Sequence, residues 1–372
     1  MADLRLDREV VELRHELHAH PELSMQESGT KARLMAFLRA HTALELHDMG
    51  RWFYAVYRAA APTDKPIAYR ADFDALPIAE SPELCPYASQ NPGVSHKCGH
   101  DGHSAALCAF ALELERRGAA RDVYLVFQHA EEIGSGGEEC AAELIRLGVS
   151  EVYAVHNLPG VALGAVAAPD GVAQFASTGM VLAFTGTPSH ACYPENGRNP
   201  AFAISELVLA LEELRRSGNY RDLTLITVIS VQVGEAAFGT SPGDGKLLLT
   251  VRAALGDELD DLLRRIAALA EEKARAHGLT LNVSYEDTFP ETYNHPAQAE
   301  KMRRAATAAG LPVAELAERF RASEDFGWYT RVLPGAMAYV GAGEEHAPIH
   351  TVNYDFPDEI IPVIVKLFAG LL

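Results

Sequence analysis

The stretch "SAALCAFALELERRGAARDVYLVFQHAEE", residues 104–132, contains a helix that leads directly into a strand. In its first part, apolar residues recur at helical spacing as far as a glycine, and Asp101 or Ser104 is predicted to cap the start of the helix. Its second part is a short apolar run, typical of a strand buried on both faces, and it ends in Glu131 and Glu132. A helix that connects to such a strand predicts a crossover unit and a parallel sheet.

Helices and strands alternate in the same way through the rest of the N-terminal part. The predicted helices are 10–20, 30–41 and 136–148, and the predicted strands are 52–60, 66–77 and 150–160. The C-terminal part returns to this alternation, with helices at 301–310 and 358–372 and a strand at 336–343 between them. Both ends of the chain therefore indicate one α/β domain with a mixed, mainly parallel sheet.

The middle of the chain has a different order of elements. Between residues 173 and 287, a strand and a helix are followed by two strands, a helix and a strand. This β-α-β-β-α-β order is typical of a small ferredoxin-like α+β domain. We therefore predict a discontinuous α/β domain, residues 1–172 and 288–372, interrupted by an inserted domain, residues 173–287.

The composition limits the classes of partner. The chain has 372 residues, long enough for two domains, and its net charge of −19 argues against nucleic acid and anionic membrane surfaces. Its start carries charges and no apolar run, so we expect neither a signal peptide nor a membrane anchor. The five cysteines are thinly spread, and we expect reduced thiols and a cytoplasmic location.

Polar side chains stand where several of the predicted strands end. They are Asp72 and Asp74, Glu131 and Glu132, His156, and, in the loop after the last strand, His346 and His350. Cys98 and His100 precede the start of a helix in the segment "CGHD". Ligands of open α/β sheets bind outside the carboxyl ends of the strands, so these side chains are expected to lie together. The sequence therefore predicts a metal site at this edge.

The mixture of ligand types indicates the chemistry of that site. Imidazole, carboxylate and thiolate groups suit zinc, and they also suit manganese, cobalt or nickel. Two ions about 3.5–4 Å apart can activate a water molecule and polarise a carbonyl, but the water still needs a base for its proton. Glu131 and Glu132 are adjacent at a strand end, so one can bind metal while the other acts as the base.

At these residues the sequence resembles the M20 metallopeptidase family. It is most similar to the amidohydrolase branch, which includes hydrolases of N-acyl amino acids, hippurate and auxin conjugates. The stretches that carry the resemblance are "LHAHPELSMQE", "YRADFDALPIAE", "HKCGHDGHSAAL", "QHAEEIGSGG", "VHNLPG", "PSHACYPENGRNP", "SEDFGWY" and "APIHTVNYDFPDE". They cover nearly the whole chain in order, and together they are highly specific.

The resemblance implies a role for each of these residues. The implied metal ligands are Cys98, His100, Glu132, His156 and His350. Glu131 is implied as the general base toward a metal-activated water, and Asp74 as a carboxylate that orients a ligand. In the inserted domain, His190 is implied to stabilise the oxyanion, and Arg252 is expected to hold a substrate carboxylate.

The resemblance also implies the reaction and the partners. We expect a metal-dependent amidohydrolase that cleaves N-acyl amino acids to a carboxylate and a free amino acid. Its cofactors are expected to be two divalent metal ions, zinc first, with manganese, cobalt or nickel as alternatives. The inserted domain is expected to act as a lid and to form a homodimer.

The sequence departs from the family pattern at three positions. Relatives usually carry an asparagine that contacts substrate before the arginine strand, and Gly239 stands there in this chain. Phe73 replaces a common methionine, and His129 replaces a common proline. The substitution at Gly239 bears on how substrate is anchored and leaves the predicted metal ligands intact.

Other functions remain open at this point. The same metals could serve a dipeptidase or an aminopeptidase, which would require a free α-amino group on the substrate. A thiol acyl-hydrolase could use Cys98 as nucleophile and His100 as base, although this leaves the other predicted ligands without a purpose. A metal-binding protein without turnover is a further alternative, suggested by Gly239 in place of the asparagine that contacts substrate in relatives.

Some polar residues have a structural interpretation. His15, His18 and His20 are predicted to pack against or cap the N-terminal helix. Glu324 and Asp325 either cap a helix or support the metal site from behind its ligands.

Overall fold

A computed structural model describes residues 7–217, 219–316 and 319–372. The helices are α1 (Arg8–Ala19), α2 (Ser28–His41), α3 (His100–Arg117), α4 (Gly137–Arg146), α5 (Ala201–Ser217), α6 (Gly256–Ala276), α7 (Pro296–Ala308), α8 (Gly327–Val332) and α9 (Ile361–Ala369). The strands are β1 (Glu45–Asp48), β2 (Phe53–Tyr57), β3 (Ile67–Asp72), β4 (Val123–Gln128), β5 (Glu151–Pro159), β6 (Val166–Ala167), β7 (Gly171–Gln174), β8 (Ala176–Thr185), β9 (Ser189–His190), β10 (Thr224–Val233), β11 (Thr240–Ser241), β12 (Asp244–Ala253), β13 (Thr280–Phe289), β14 (Thr292–Asn294) and β15 (Gly335–Gly343).

The described residues form two compact units. The first contains the described residues up to Ala173 together with the described parts of Thr292–Arg319 and Glu324–Leu372. The second contains the described parts of Gln174–Glu291 and Phe320–Ser323. The catalytic role predicted for residues 1–172 and 288–372, and the lid or dimerisation role predicted for residues 173–287, stay predictions.

The first unit is built around a seven-stranded sheet in the order β1-β2-β4-β3-β5-β15-β6. The four central strands β4, β3, β5 and β15 are parallel, and the outer strands pair antiparallel. This confirms the predicted mixed α/β fold with a parallel centre. Because the central strands point the same way, their carboxyl ends lie at one edge of the sheet.

Helices cover both faces of this sheet, which explains why its central strands are buried along almost their whole length. On one face, Tyr69 and Tyr153 belong to a core shared with α1, α2, α3 and α9. On the other face, the preceding residues Ala68 and Val152 pack into a core with α4 and α8. Alternate residues of each strand thus enter opposite cores, as the two-residue repeat of a strand requires.

The second unit has a four-stranded antiparallel sheet in the order β10-β12-β8-β13. Along β12, Leu247, Leu249 and Val251 are buried and alternate with more exposed neighbours. They belong to one core with apolar residues of α5 and α6. The order of elements and strands confirms the predicted ferredoxin-like arrangement.

The start of α3 differs from the prediction. The helix begins at His100, and Gly99 at its N-cap is in the left-handed region with φ 94°. Asp101 and Ser104 lie inside the helix, so the prediction that one of them caps it is wrong. A Cβ at Gly99 would lie 2.5 Å from the Nδ2 atom of Asn157, so the close approach of these segments requires glycine at the cap.

The edge strand β1 was not predicted, because its sequence "ELHD" is polar and short. Among the described residues, no helix is long and apolar enough to cross a membrane. The cytoplasmic location stays a prediction.

Candidate metal centre

The carboxyl edge of the central sheet brings the predicted ligands of the first unit together. Asp74 follows β3, and Glu131 and Glu132 form a single turn after β4. His156 lies near the end of β5, and His100 begins α3. His350 lies in the loop after β15, and its backbone N–H donates to the carbonyl of Lys97, next to Cys98, at 2.7 Å.

Cys98 lies between two imidazoles. Its Sγ atom is 3.5 Å from the Nε2 atom of His156 and 3.3 Å from the Nε2 atom of His350. The same Nε2 atom of His350 is 3.6 Å from Oε2 of Glu132. Cys98, Glu132 and His350 therefore offer three different donor atoms within 4.8 Å of one another.

His100 contributes a second group of donors. Its Nε2 atom is 3.7 Å from a carboxylate oxygen of Glu131 and 3.7 Å from one of Glu132. Within the described part of the chain, the buried atoms Nε2 of His100 and Oε1 of Glu132 have no hydrogen-bond partner. Buried polar atoms without partners are rare and costly, so both lone pairs are suited to bind a cation.

In two of the proposed ligands, His100 and His156, the other ring nitrogen is held by an acceptor. His100 donates from Nδ1 to Oδ1 of Asp74 at 3.1 Å, and His156 donates from Nδ1 to the carbonyl of Asn157 at 2.7 Å. These bonds turn Nε2 of both rings toward the cluster. Such contacts fix the tautomer and orientation of metal-binding histidines in proteins.

The electrostatics of the cluster show an excess of carboxylates. Burial, Glu324 and Glu132 raise the pKa of Glu131 well above its usual range, and burial with nearby carboxylates raises the pKa of Glu132 to about 7. Burial by itself lowers the pKa of His100, but Asp72 and Asp74 outweigh it and raise that pKa to about 10. A divalent cation would stabilise the ionised carboxylates, so the donor set fits a metal in charge as well as in ligand type.

The thiol of Cys98 is poorly suited to act as a free nucleophile. Burial and the carboxylates of Glu132 and Glu131 raise its pKa well above the usual range of a thiol. A cysteine nucleophile reacts as a thiolate and needs a lowered pKa. This environment argues against the thiol acyl-hydrolase and favours Cys98 as a metal ligand.

The turn that carries Glu131 and Glu132 is held by the N-terminal segment. Ala130 is in the left-handed region with φ 51°, and its backbone N–H donates to Oε1 of Glu27 at 2.8 Å. The backbone N–H of Glu132 donates to Oδ2 of Asp74 at 3.0 Å. Ser24 donates its hydroxyl to the same oxygen at 2.7 Å. The direction of both glutamates therefore depends on contacts with residues before β1.

A buried arginine lies beneath the cluster. Arg70 contacts the carboxylates of Asp72, Glu324 and Asp325, and Asp325 also accepts the N–H of Gly137, the first residue of α4, at 2.8 Å. The sequence left open whether Glu324 and Asp325 cap a helix or support the metal site from behind, and the structure shows features of both. Asp325 caps a helix, and both side chains neutralise the arginine below the site.

A separate group of possible donors lies around His18. His18, Glu80 and Cys85 bring donor atoms within 4.8 Å of one another. However, the ammonium group of Lys97 contacts Glu80, and His18 is bonded to Asp101 at 2.7 Å. These cationic neighbours satisfy the carboxylates, so we place no metal there.

The remaining predicted site residues lie in the second unit. His190 is exposed in β9, and its Nδ1 atom accepts the backbone N–H of Cys192 at 3.1 Å. Arg252 is partly buried in β12 and donates to the hydroxyl of Ser323 at 2.7 Å. Within the described residues, no carboxylate is at ion-pair distance from Arg252, so the structure does not assign this side chain to an ordinary salt bridge.

Several further side chains lie behind the predicted ligands, and among them the sequence singled out only Asp72. Asp72 accepts from Nδ1 of His103 at 2.7 Å, and Asn157 donates to the carbonyl of Cys98 at 2.6 Å. Tyr354 donates its hydroxyl to Asn157 at 2.6 Å. Asn157 carried a weaker signal, because it follows His156 at the end of a strand.

Comparisons with known proteins agree with this geometry. The model of the peptidase family M20/M25/M40 matches residues 68–372. The N-acetyl-L-cysteine deacetylase of Bacillus subtilis (strain 168) is 31% identical over 345 residues, covering 92% of this chain and 82% of that protein.

Two solved structures share the fold over nearly the full length of both chains. A putative aminohydrolase from methicillin-resistant Staphylococcus aureus has a TM-score of 0.88 and 27% identity, covering 97% of this chain and 95% of the other. The Bacillus subtilis YxeP protein, described as a dinuclear metal-binding peptidase of the M20 family, has a TM-score of 0.82 and 25% identity, with 99% and 98% covered.

The chain belongs to the M20/M25/M40 peptidase family. Its relatives include two N-acetylcysteine deacetylases and a putative amidohydrolase, and the chain is a metal-dependent hydrolase of amide bonds. The resemblance drawn from the sequence motifs is confirmed.

Proposed function

We propose that this enzyme hydrolyses the amide bond of N-acyl amino acids and releases a carboxylate and a free amino acid. One observation carries the proposal: donor atoms of five side chains gather beside the carboxylate of Glu131. These five are Cys98, His100, Glu132, His156 and His350. The name of the deacetylase relative supports the N-acyl amino acid as the substrate class.

The metals of this site are proposed to be two divalent ions, zinc first, with manganese, cobalt or nickel as alternatives. His156, His350, His100 and Glu132 would hold them together with Cys98, whose thiolate favours zinc over magnesium or calcium. When bound, such ions polarise a carbonyl and lower the pKa of a water molecule.

Glu131 is the proposed general base. Its carboxylate lies 3.7 Å from His100, at the edge of the donor cluster, and burial with neighbouring carboxylates raises its pKa. A raised pKa suits a group that must take a proton near neutral pH and give it up again. Glu131 would accept a proton from the attacking water and donate it to the nitrogen of the leaving amino acid.

Two residues of the second unit complete the proposal. His190 would donate a hydrogen bond to the oxyanion that forms at the scissile carbonyl. Arg252, which is partly buried and pairs with the Ser323 hydroxyl, would bind the carboxylate of the amino-acid part through its planar guanidinium.

The test uses the full chain stripped of metal by a chelator. N-acetylmethionine, N-acetylcysteine, hippurate, a long-chain N-acyl amino acid and a dipeptide would be incubated without metal and with zinc, manganese or cobalt. We expect metal to restore cleavage and the N-acyl amino acids to be the best substrates. A clear preference for the dipeptide would instead support the dipeptidase or aminopeptidase.

A matched pair of variants isolates the base. Glu131→Gln removes the proton acceptor, and we expect activity to fall by at least about 100-fold. Glu138→Gln changes an exposed glutamate of the following helix and should leave the rate unchanged. If the wild-type protein binds metal but turns over none of the substrates, a metal-binding protein without catalytic activity becomes the better interpretation.

We also propose a homodimer formed through the second unit. The strand β10 lies at the edge of its sheet and exposes Ile229 and Val231 by 57% and 52%. On the nearby helix α5, Phe202 and Leu209 are 66% and 73% exposed. Exposed apolar side chains next to an unpaired strand edge favour association with a second chain.

The mass in solution tests this proposal. We expect light scattering at micromolar concentration to give twice the mass of the chain, and Val231→Lys to give the mass of one. A wild-type protein of single-chain mass would contradict the dimer.

A further inference from the structure

Asn157 lies next to two of the proposed metal ligands and is fully buried. Its side-chain Nδ2 atom donates to the backbone carbonyl of Cys98 at 2.6 Å, and its backbone carbonyl accepts the Nδ1–H of His156 at 2.7 Å. Its Oδ1 atom accepts the hydroxyl of Tyr354 at 2.6 Å. One residue thus contacts the backbone of one ligand and the imidazole of another.

The orientation of the Asn157 amide is determined by its partners. The Tyr354 hydroxyl can donate to Oδ1, whereas the carbonyl of Cys98 can only accept from Nδ2. A reversed amide would place two acceptors against each other at the Cys98 carbonyl. The side chain therefore has one orientation that satisfies both neighbours.

Asn157 also sets the protonation of His103. The Nε2 atom of His103 accepts the backbone N–H of Asn157 at 3.2 Å and lies 3.1 Å from its Nδ2 atom. The proton of the ring is therefore on Nδ1, from which it is donated to Asp72 at 2.7 Å. The neutral His103 ring therefore bonds to Asp72 on one side and to Asn157 near the end of β5 on the other. Asp72 is in turn paired with Arg70.

The contacts converge on the part of the chain that carries Cys98. Gly99 follows Cys98 in the left-handed conformation, and a Cβ there would lie 2.5 Å from Asn157 and 2.8 Å from the Tyr354 hydroxyl. The peptide between Cys98 and His100 is therefore packed directly against Asn157. A shift of the Asn157 side chain would therefore move Cys98 and His100, the proposed ligands on either side of Gly99.

We infer that Asn157 is a positioning residue for the metal centre: its side chain fixes the Cys98 peptide, and its backbone carbonyl holds the His156 ring. The inference rests on the proposed function, since it takes Cys98 and His156 as ligands. Loss of hydrogen bonds behind metal ligands costs about 10- to 100-fold in metal affinity. We expect Asn157→Ala to weaken metal binding by that factor.

Asn294 provides a matched control in the same unit. It is also fully buried, and it donates from Nδ2 to the carbonyls of Pro169 and Met337 and accepts the N–H of Met337. Asn294→Ala removes an equivalent set of buried bonds without touching a proposed ligand. It should lower thermal stability and leave metal affinity within about twofold.

The experiment measures metal binding directly, without turnover. Metal-free full-length wild type, Asn157→Ala and Asn294→Ala would be titrated with zinc in competition with a chromogenic chelator. Cobalt titrations would follow the absorption of the cobalt–thiolate bond, which reports on Cys98. Weaker zinc binding and altered cobalt absorption in Asn157→Ala alone are the expected result.

The outcomes separate this inference from the proposed function. Wild type that binds metal, with Asn157→Ala and Asn294→Ala equally affected or equally unaffected, overturns the inference and leaves the proposed function standing. Wild type that binds neither zinc nor cobalt overturns both.

A milder pair of variants covers the case in which Asn157→Ala does not fold. Tyr354→Phe removes only the hydroxyl that orients the Asn157 amide, and Tyr69→Phe removes an equally buried hydroxyl bonded to the carbonyl of Phe368 at 3.1 Å. We expect zinc affinity to fall about 2- to 10-fold in Tyr354→Phe and to be unchanged in Tyr69→Phe. Equal zinc affinity in these two variants overturns the inference.

Discussion

Asp74 holds His100 with one carboxylate oxygen and the backbone of Glu132 with the other, at 3.1 and 3.0 Å. The two residues it contacts are both proposed ligands, and they come from different elements, the start of α3 and the turn after β4. A single carboxylate therefore sets the distance between an imidazole and a carboxylate donor.

Asp74→Asn should weaken metal binding without unfolding the protein. Its amide nitrogen would face either the N–H of Glu132 or the Nδ1–H of His100, so one of these donors loses its acceptor. We expect zinc affinity to fall about 10- to 100-fold, measured by chelator competition. Asp64→Asn, in an exposed loop, is the control, and equal affinity of the two variants would contradict the role of Asp74.

Arg252→Gln should affect only substrates that carry a carboxylate. Loss of an ionic hydrogen bond of about 1.5–3 kcal/mol would raise KM for N-acetylmethionine about 10- to 100-fold. KM for N-acetylmethioninamide, which lacks the charge, should change little. Steady-state kinetics with both substrates decides the matter, and an equal rise for the two would exclude carboxylate recognition by Arg252.

Gly239→Asn should be tolerated and should improve substrate binding. A Cβ at this position meets no atom within 4 Å, so the larger side chain has room, and the melting temperature should stay the same. One added hydrogen bond would lower KM for an N-acyl amino acid about 2- to 10-fold. Gly239→Ala is the control without an amide. If both variants behave alike, the asparagine usual in relatives has no anchoring role in this chain.

His18 should make stability depend on pH. Burial lowers its pKa, but Asp101 and other neighbours outweigh burial and raise the pKa to about 11. Folded protein therefore keeps a proton that the unfolded chain releases above about pH 6.5. The stabilisation is complete below that pH and is lost as the pH rises toward 11, by at most about 1.4 kcal/mol per pH unit.

Urea unfolding of metal-free protein at pH 6, 7.5 and 9 would test this dependence. The midpoint of wild type should fall relative to that of His18→Gln as the pH rises. His277→Gln, on the surface of the second unit, should follow wild type. A constant difference between wild type and His18→Gln across the three pH values would refute the prediction.

Much of the fold could be predicted because periodicity reports burial directly. The apolar runs of β3, β4 and β5 predicted a sheet covered on both faces, and the order of elements from β8 to β13 predicted the ferredoxin-like unit. The polar edge strand β1 has no such pattern. The start of α3 was misplaced because its glycine cap is required by contact with Asn157 and Tyr354, which are distant in sequence.

The proposed ligands could be gathered from the sequence because parallel strands end at a common edge. The contacts behind them could not be predicted. Asp72 was expected at this edge, but its contacts with His103 and Arg70, and the contact of Tyr354 with Asn157, depend on side-chain directions that no spacing reveals. The left-handed conformation of Ala130 is likewise produced by packing and by its bond to Glu27.

The contacts of Ser24 and Glu27 bear on where this enzyme can be trimmed. The match to the family model begins at residue 68, and a protein shortened to that boundary would keep all five proposed ligands and the proposed base. It would nevertheless lose the acceptor for Ala130 and the hydroxyl that binds Asp74. The segment matched by the family model is therefore smaller than the segment needed to shape the site, and a truncation at residue 68 would also remove α1, α2 and β2 from the core of the first unit.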